Sequence, residues 1–353
     1  MEEKTEMKPY NLALLGFGNV GQAFARLLLR KQDELRSERG ISFAVTGIAT
    51  GRHGAAIDPQ GLDLQRALET MDEVRAGKPA SLTDLSHLPA PPGAFDFIRQ
   101  CEADVLFETT PVNYQTGQPA VDYLRAGLER GMHAITANKG PVVHAYRTLT
   151  DLATSKGRKF YFESAVMDGA PIFSLFREAL PGARLTAFRG ILNSTTNLIL
   201  TRMEAGEPFA QAVAYAQSIG IAETDPSGDV DGWDAAVKVA ALVTVLMGVP
   251  LKPAEVDRTG IREISPQDIQ RARDQGLRWK LVCQARRSGS DLRASVKPEM
   301  VPPSSPLYHA DGTTSLVQFE TDVLGLLSVI ETDPGPETTA YGLLADFLNA
   351  VKD

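Results

Sequence analysis

Carboxylates are concentrated between residues 223 and 234, where the chain reads ETDPSGDVDGWD. The Asp-Pro, Ser-Gly and Asp-Gly pairs in this stretch are typical of turns, and the run AAVKVAAL at residues 235–242 predicts a helix after them. The acids therefore precede the N-terminus of a helix. Because acids without nearby bases repel one another, the loop favours a ligand that carries an ammonium group and an oxygen that exchanges a proton.

Asp234 and Lys238 are four residues apart, so they lie on the same face of that helix. The alanines and valines around Lys238 predict that this face is half-buried, and a lysine there needs a partner. Two interpretations stay open. The pair is either a satisfied ion pair on an acidic turn or part of a reacting site.

A second motif with chemical meaning lies near the N-terminus. Residues 11–15 predict an apolar strand, residues 22–35 an amphipathic helix, and residues 43–49 a second strand. Between the first strand and the helix the chain has a glycine turn of the GxGxxG type, which binds dinucleotides through a close backbone approach and the free amides of a helix N-terminus. The predicted cofactor-binding residues of this turn are Gly16, Phe17, Gly18, Asn19, Val20 and Gly21.

The end of the second strand bears on which cofactor is used. An acid at this position would bind the ribose 2′-hydroxyl of NAD, but the chain continues as Thr50-Gly51-Arg52-His53. Arg52 stands where a 2′-phosphate would lie, which favours NADP(H). A lone surface arginine is often only solvated, so NAD(H) remains the alternative.

Two further strands end in residues that could face the cofactor. Residues 103–108 predict a strand that stops at Thr109 and Thr110, before Pro111. Residues 133–137 predict another, which is followed by Lys139. The carboxyl ends of parallel strands hold reacting groups in such folds, although Lys139 could also be an ordinary loop lysine.

Length and composition limit the classes of protein that remain. A chain of 353 residues with 43% hydrophobic residues predicts two soluble domains. The net charge of −8 argues against nucleic acid as a partner. No segment resembles an export signal or a membrane span, and the two cysteines, Cys101 and Cys283, show no metal or disulfide spacing. We expect a cytoplasmic protein.

The remaining pattern predicts an α/β chain. A Rossmann-type doubly wound sheet at residues 1–145 is followed by an α+β substrate and dimerisation domain with a mixed sheet at residues 146–332. Within it, a helix is predicted at 146–156, a strand at 159–166 and a polar helix cap at 193–197. Residues 333–353 are expected to contain a helix with one apolar face that packs back on the nucleotide-binding domain.

Taken together, these residues resemble homoserine dehydrogenase, the NAD(P)-dependent enzyme that interconverts L-aspartate 4-semialdehyde and L-homoserine in threonine and methionine biosynthesis. The resemblance covers almost the whole chain. It rests on four motifs in order: GFGNVG at 16–21, ANKGP at 137–141, GILNSTTN at 190–197, and the acidic stretch from Glu223 to Lys238.

The resemblance implies roles for individual residues. Glu223 and Asp229 would hold the substrate ammonium, with Asn193 and Thr195 as further substrate-binding residues. Asp234 would support the reacting region, and Lys139 and Lys238 would perform proton transfer. With Arg52 and the residues of the glycine turn, the predicted cofactor-binding residues also include Thr109, Thr110, Lys139, Gly220 and Gly335. A homodimer is also implied.

The chain departs from the family pattern in two places. The family commonly has small residues in a backbone-carbonyl loop for a monovalent cation, whereas this chain reads Val166-Met167-Asp168-Gly169. The implied sodium site would consist of Glu163, Val166, Asp168 and Ala170. Near the C-terminus only Gly335 matches the family's glycine-rich turn. We expect residues 1–353 to contain no counterpart of the regulatory domain that many relatives carry.

Two other functions are compatible with parts of the pattern. A dehydrogenase for aspartate or another amino acid would share the glycine turn but would change the acidic loop. A non-enzymatic NADP-binding sensor would need the glycine turn but neither Lys139 nor Lys238. An absorbance assay at the NADPH band with homoserine, aspartate semialdehyde and glutamate semialdehyde would distinguish these functions.

Overall fold

The computed structural model describes residues 9–352, and the chain forms two compact units. The first unit comprises Met1–Pro141, Ala145–Gly169 and Gly335–Asp353, and the second comprises Val142–His144 and Ala170–Pro334. Residues 1–8 and 353, which fall within the predicted domain ranges, lie outside the described residues. The predicted boundary at residue 145 differs from this division, because residues 145–169 group with the first unit.

A six-stranded sheet forms the centre of the first unit, in the order β3-β2-β1-β4-β5-β6. All neighbouring strands are parallel except β2 and β3. Strands β1, β2, β4 and β5 read as nearly continuous apolar runs because helices cover both faces of such a sheet. Their bounds are Tyr10–Leu15 (β1), Phe43–Ala49 (β2), Ala55–Ile57 (β3), Val105–Glu108 (β4), His133–Thr136 (β5) and Phe160–Tyr161 (β6).

Five helices follow the strands of this unit in the connections between them. The helix after β1 is followed by Gly40, whose φ of 64° is the left-handed conformation common after a helix C-terminus. The bounds of the helices are Asn19–Arg39 (α1), Leu64–Arg75 (α2), Ala94–Gln100 (α3), Ala120–Glu129 (α4) and Lys139–Ser155 (α5). The doubly wound α/β architecture predicted from the sequence is confirmed.

Two predicted elements of this unit were wrong in extent. The strand predicted at 159–166 pairs only at Phe160–Tyr161, because the backbone then turns into a short 3-10 helix at Glu163–Ala165. The helix predicted from residue 146 begins at Lys139, since the side chain of Asn138 accepts a hydrogen bond from Gly140 N and caps it. That helix is kinked at Ala145, whose φ is −141°.

The C-terminal helix, Pro336–Ala350, belongs to the core of the first unit. Its Phe347 is fully buried, and its ring lies 5.9 Å from that of Tyr10, 6.5 Å from that of Phe43 and 6.1 Å from that of Phe107. The helix therefore covers strands that are more than two hundred residues earlier in the chain.

The second unit is built on another six-stranded sheet, in the order β12-β11-β7-β9-β10-β8. Its pairs are antiparallel except for β10 and β8, so the sheet is mixed, as predicted. The strands are Leu185–Ile191 (β7), Asp257–Arg258 (β8), Arg278–Ser288 (β9), Asp291–Val301 (β10), Ser315–Thr321 (β11) and Gly325–Glu331 (β12).

Helices cover one face of this sheet, and α9 is the most deeply buried of them. The bounds are Ser194–Glu204 (α6), Phe209–Ser218 (α7), Ser227–Val230 (α8), Trp233–Leu246 (α9) and Pro266–Asp274 (α10). None of the helices that the structure describes is long and apolar enough to span a membrane.

Replacement of Phe347 by alanine should reduce the free energy of unfolding by about 3 to 5 kcal/mol, because it leaves a cavity beneath three aromatic rings. Tyr341→Ala in the same helix is the control, since that side chain is 57% exposed. Chemical denaturation of both variants measures the difference. Equal stability of the two variants would contradict the placement of the C-terminal helix in the core.

Candidate active site

The glycine turn between β1 and α1 lies against the end of β4. Gly16 has a φ of 104°, and a Cβ atom there would lie 2.6 Å from Thr109 O. A Cβ on Gly21 would lie 2.5 Å from Gly16 O. A side chain at either position would clash with the backbone, and Gly16 also has a positive φ, so both positions require glycine. Thr109 Oγ1 donates a 3.0 Å hydrogen bond to Gly16 O, which links the turn to the neighbouring strand.

The N-terminus of α1 is open to an anion. Its N-cap residue is Gly18, no side chain caps it, and no acid stands in its first turn. A Cβ on Gly18 would meet nothing within 4 Å, so the backbone there is accessible. Free amides at the positive end of a 21-residue helix fit a pyrophosphate. Phe17 differs from its neighbours because its side chain is buried in the core, so only its backbone can face a ligand.

The loop after β2 is a closed turn with Arg52 at its tip. Thr50 N and Thr50 Oγ1 both donate to Gly54 O, at 3.0 and 3.1 Å, and His53 N donates to Thr50 Oγ1 at 2.8 Å. Arg52 is exposed and makes no ion pair with any residue that the structure describes. Its guanidinium is therefore held on an ordered loop and is accessible to solvent.

A buried hydrogen-bond network joins the ends of β4 and β5. Glu108 Oε1 accepts from Thr110 N at 2.8 Å and from Thr110 Oγ1 at 2.5 Å, and its Oε2 accepts from Thr136 Oγ1 at 2.6 Å. Thr136 Oγ1 in turn accepts from Asn138 N at 2.9 Å. Burial raises the pKa of the Glu108 carboxyl, and the hydrogen bonds from Thr110 and Thr136 oppose that shift. The sequence pattern did not single out Glu108.

Lys139 follows this network directly. Its neighbour Asn138 donates from Nδ2 to Thr110 O at 3.3 Å and accepts from Gly140 N at 2.9 Å. Lys139 is the first residue of α5 and is half-buried. The start of this helix is thus fixed to the strand ends beside the glycine turn.

The second unit has its polar centre at Asn193, the N-cap residue of α6. Asn193 Oδ1 accepts from Thr196 N at 2.8 Å, while its Nδ2 donates to Asp229 Oδ1 at 2.7 Å and to Asp234 Oδ2 at 3.0 Å. One amide thus caps a helix and binds two carboxylates from the acidic stretch. The two acids therefore belong to one cluster.

Lys238 is part of the same cluster. Its Nζ donates to Leu192 O at 2.6 Å and lies 3.2 Å from Asp234 Oδ2. The side chain of Lys238 is 15% exposed and that of Asp234 is 11% exposed. This ion pair is therefore partly desolvated, unlike the surface pair that the sequence left open as an alternative.

The other predicted residues of this unit lie around the cluster. Glu223 is exposed and its backbone carbonyl accepts from Gln217 Nε2 at 3.1 Å. Thr195 is buried, and its Oγ1 donates a long, 3.4 Å hydrogen bond to Ile221 O. Gly220 has a φ of 76° just after α7. Hydrogen bonds join Asn193 to Asp229 and Asp234, and an ion pair joins Asp234 to Lys238. These three contacts, within residues 9–352, do not include Glu223 or Gly220.

The predicted cation loop contacts the C-terminal helix. Glu163 N donates to Asp346 Oδ2 at 2.6 Å, and Asp168 Oδ1 accepts from Thr339 Oγ1 at 2.9 Å. Asp168 has a φ of 48°, so the backbone turns sharply there. Gly169 is packed against Thr338 O too closely for a side chain. Glu163 and Val166 are buried, and Ala170 begins the second unit.

Carbonyl oxygens and carboxylates are the donors of that loop, and these suit a hard monovalent cation. Within residues 9–352 no group of three or more His, Cys, Asp and Glu side chains is arranged to hold a metal ion. Gly335, predicted beside the cofactor, is the N-cap residue of the C-terminal helix, and its N–H donates to Thr338 Oγ1 at 2.9 Å.

One buried charge was missed by the sequence reasoning. Lys280 on β9 is fully buried, and its Nζ donates to Asn197 Oδ1 at 3.0 Å and to Ala310 O at 2.6 Å. Burial lowers its pKa to about 8. Since Asn197 lies one turn after Asn193, Lys280 anchors the helix that carries the polar centre. No spacing in the sequence marks a single lysine in a strand for this role.

Comparison with known families agrees with this geometry. A family model described as homoserine dehydrogenase matches residues 171–348, and one described as homoserine dehydrogenase, NAD binding domain, matches residues 16–163. The chain belongs to the homoserine dehydrogenase family. It is an NAD(P)-dependent oxidoreductase, and its reaction is the interconversion of aspartate 4-semialdehyde and homoserine. The two matched segments contain the glycine turn and the Asn193 cluster, respectively.

Several curated homoserine dehydrogenases are similar over nearly the whole chain. The NAD(+)-dependent homoserine dehydrogenase of Pseudomonas canavaninivorans is 36% identical over 349 residues, which is 97% of this chain and 96% of that protein. The homoserine dehydrogenase of Methanocaldococcus jannaschii is 36% identical over 340 residues, covering 96% of this chain and 98% of that protein.

Solved homoserine dehydrogenase structures share the fold. A putative homoserine dehydrogenase from Archaeoglobus fulgidus superposes with a TM-score of 0.84 at 32% identity, covering 96% of this chain and 98% of that one. A hyperthermophilic archaeal homoserine dehydrogenase in complex with NADPH superposes with a TM-score of 0.80 at 29% identity, covering 97% and 98%. The expected fold class and family are confirmed.

Proposed function

We propose that Lys139 is the proton-transfer base in homoserine oxidation and that Lys238 orients and polarises the reacting oxygen. Asp234 supplies the counter-charge to Lys238, and Asp229 and Glu223 hold the substrate ammonium. The observation that carries this proposal is the ion pair of Lys238 and Asp234 within the Asn193 cluster, because a partly buried lysine is held there by one carboxylate and one backbone carbonyl.

The chemistry requires a group that moves a proton at the substrate oxygen. A nicotinamide cofactor held at the glycine turn would supply the hydride-transfer chemistry at C4 of homoserine. Lys139 takes the hydroxyl proton as the carbonyl forms, and it returns that proton in the direction of reduction. The fixed start of α5 at Asn138 supports this role because it places Lys139 at the strand ends beside the glycine turn.

Lys238 suits the polarising role better than the proton-transfer role. Its Nζ already donates to Leu192 O and lies beside Asp234, so two contacts fix its position and leave a donor for the substrate oxygen. A cation held in place before the substrate arrives stabilises charge on that oxygen without reorganisation.

The acids of the loop complete substrate binding. Asn193 Nδ2 donates to Asp229 Oδ1 at 2.7 Å, which fixes this carboxylate in the loop proposed to bind the ammonium group. Glu223 is exposed, so its carboxylate is accessible to an ammonium group. We also propose Asn193 and Thr195 as substrate-binding residues, because both lie at the start of α6 and contact the segment that contains the acids.

For the cofactor we infer a preference for NADP(H) over NAD(H). The support is Arg52, which makes no ion pair within residues 9–352 and lies on an ordered loop at the end of β2, where the chain has no acid for a ribose 2′-hydroxyl. Gly16, Gly18 and Gly21 would hold the pyrophosphate through backbone amides. Because the name of one relative specifies NAD(+), NADH is the competing cofactor in the test below.

We also propose a monovalent cation, sodium, at the loop of Glu163, Val166, Asp168 and Ala170. Its support is the donor chemistry of the loop and the sharp backbone turn at Asp168. The contacts of Asp346 and Thr339 to this loop would hold it in place.

The proposed oligomer is a homodimer formed by the second unit. Large apolar side chains are exposed along β12 and the turn before it, with Leu326 at 69%, Ile330 at 59% and Val323 at 73%. Such an apolar stripe at the edge of a sheet favours an interface, and a second copy of the chain would cover it.

Sedimentation equilibrium should show a dimer. Leu326→Asp should weaken the dimer, and Leu88→Asp, at an exposed position of the first unit, should leave it unchanged. A monomeric parent protein would refute the dimer.

Replacement of either lysine tests the mechanism. Lys139→Ala should lower kcat by roughly 10² to 10⁴ and remove one limb of the pH profile, because a proton shuttle is lost. Lys238→Ala should lower kcat and also raise the KM for homoserine, because substrate positioning is lost. Steady-state kinetics across pH separate the two roles.

Lys78→Ala, at an exposed loop position, is the control and should leave both constants unchanged. If Lys139→Ala keeps a near-normal kcat and an intact basic limb, Lys238 is the proton-transfer group instead. If neither lysine matters, the proposed mechanism fails.

Arg52→Ala should weaken NADPH binding by roughly one to two decades and leave NADH binding nearly unchanged, since a hydrogen bond to a charged group is worth about 1.5 to 3 kcal/mol. Fluorescence titration of both cofactors measures the ratio. Arg30→Ala, an exposed arginine on α1, serves as the control. An equal loss for both cofactors would show that Arg52 only supports its loop.

Sodium should raise both the unfolding temperature and the activity relative to potassium or tetramethylammonium at equal ionic strength, because a bound cation stabilises the folded state. Asp168→Asn keeps a residue type that tolerates left-handed backbone but removes the charge, and it should reduce the response. Identical unfolding temperatures and rates in all three salts would exclude a functional sodium site.

A further inference from the structure

Glu108 is the one fully buried carboxyl group at the carboxyl edge of the first unit's sheet within the described residues. It ends β4, which lies between β1 and β5 at the centre of that sheet. No ion pair compensates its burial among the residues that the structure describes. An acid without a cation at this depth opposes folding unless hydrogen bonds satisfy it, so its presence needs an explanation beyond packing.

Both oxygens of Glu108 are engaged with residues that flank the proposed cofactor site. Oε1 accepts from the backbone and the hydroxyl of Thr110, and Oε2 accepts from Thr136 Oγ1. Thr136 Oγ1 accepts from Asn138 N, so the chain of hydrogen bonds ends at the residue before Lys139. Desolvation raises the pKa of Glu108, in keeping with an acid that is held by neutral donors alone.

A second connection runs from Thr109 to the glycine turn. Thr109 Oγ1 donates to Gly16 O, and the backbone of Thr109 is so close to Gly16 that no side chain fits between them. A shift of the β4 end would therefore move both the glycine turn and the start of α5. Packing of this density transmits displacements instead of absorbing them.

We propose that Glu108 is a positioning residue for the reaction. By holding Thr110 directly and Asn138 through Thr136, it sets the backbone that places Thr109 and Thr110 at the cofactor and Lys139 at the substrate oxygen. This inference rests on the proposed role of Lys139. It assigns no proton transfer to Glu108 itself.

Four variants test the inference. Glu108→Ala removes the network, and Glu108→Gln preserves it, because the amide oxygen can accept from Thr110 N while the amide nitrogen donates to Thr136 Oγ1. Thr136→Val removes the hydrogen bonds to Glu108 Oε2 and from Asn138 N, and it leaves those between Glu108 and Thr110 in place. Thr46→Val is the matched control, since Thr46 is equally buried on β2 and donates to Glu102 O at 3.0 Å, away from the edge.

The measurements are kcat, the KM for NADPH and for homoserine, and the unfolding temperature. Glu108→Ala should raise the KM for NADPH and lower kcat, each by about tenfold or more. Thr136→Val should lower kcat/KM by about tenfold or more, because the hydroxyl makes two buried hydrogen bonds. Glu108→Gln should stay within about threefold of the parent protein. Thr46→Val should lower the unfolding temperature as Thr136→Val does, with unchanged kinetics.

Two results would overturn the inference. If Thr136→Val and Glu108→Ala have the same kinetics as Thr46→Val, the network is only structural. If Glu108→Ala does not fold, the comparison of Thr136→Val with Thr46→Val alone decides between the two roles. If Glu108→Gln is as impaired as Glu108→Ala, the acid itself reacts and does not merely position. Lys139→Ala, measured in parallel, separates these results from a failure of the proposed mechanism, because normal turnover of that variant would refute the mechanism first.

Discussion

The amide of Asn193 is the interaction on which the polar site of the second unit depends. Its nitrogen has two protons, and each is donated to a different carboxylate, Asp229 and Asp234. Its oxygen caps α6. Two acids drawn to one side chain would repel each other without a donor between them. The preceding carbonyl, at Leu192, accepts from Lys238, so two consecutive residues after β7 organise the whole cluster.

In the first unit a different set of hydrogen bonds fixes the strand ends to the start of a helix. There the ends of β4 and β5 are joined by a carboxyl group and hydroxyls, and the helix that begins beside them is capped by Asn138. In each unit an asparagine both caps a helix and reaches a neighbouring segment. Groups that are fixed in this way by rigid strands and helices hold their geometry better than groups on loops alone.

Much of the fold could be predicted because local patterns determine it. The glycine turn required both close approach and a positive φ at Gly16, and the sequence alone indicated the strand and helix around it. The predicted strand at 43–49 matches Phe43–Ala49, and the predicted apolar face of the last helix is buried in the core. In these elements the periodicity of apolar residues follows directly from which face is covered.

The parts that escaped prediction depend on contacts between distant residues. The strand predicted from residue 159 is shortened where Asp346, about two hundred residues later, binds Glu163 N. Short helices such as α3 and α10 contain too few residues to show a period. Within the candidate site, Glu108 and Lys280 have no local sequence pattern, because their hydrogen-bond partners lie on other elements.

The C-terminal helix has a consequence for synthesis. The core of the first unit includes Phe347, yet the ribosome delivers all of residues 170–334 between the sheet and that helix. Domains generally fold as units in the order in which they emerge, but here the earlier unit lacks one of its packing layers until the later unit has been made. Until the C-terminal helix has been synthesised, the nascent sheet therefore exposes the apolar surface that Phe347 covers in the folded chain, and such surface favours aggregation.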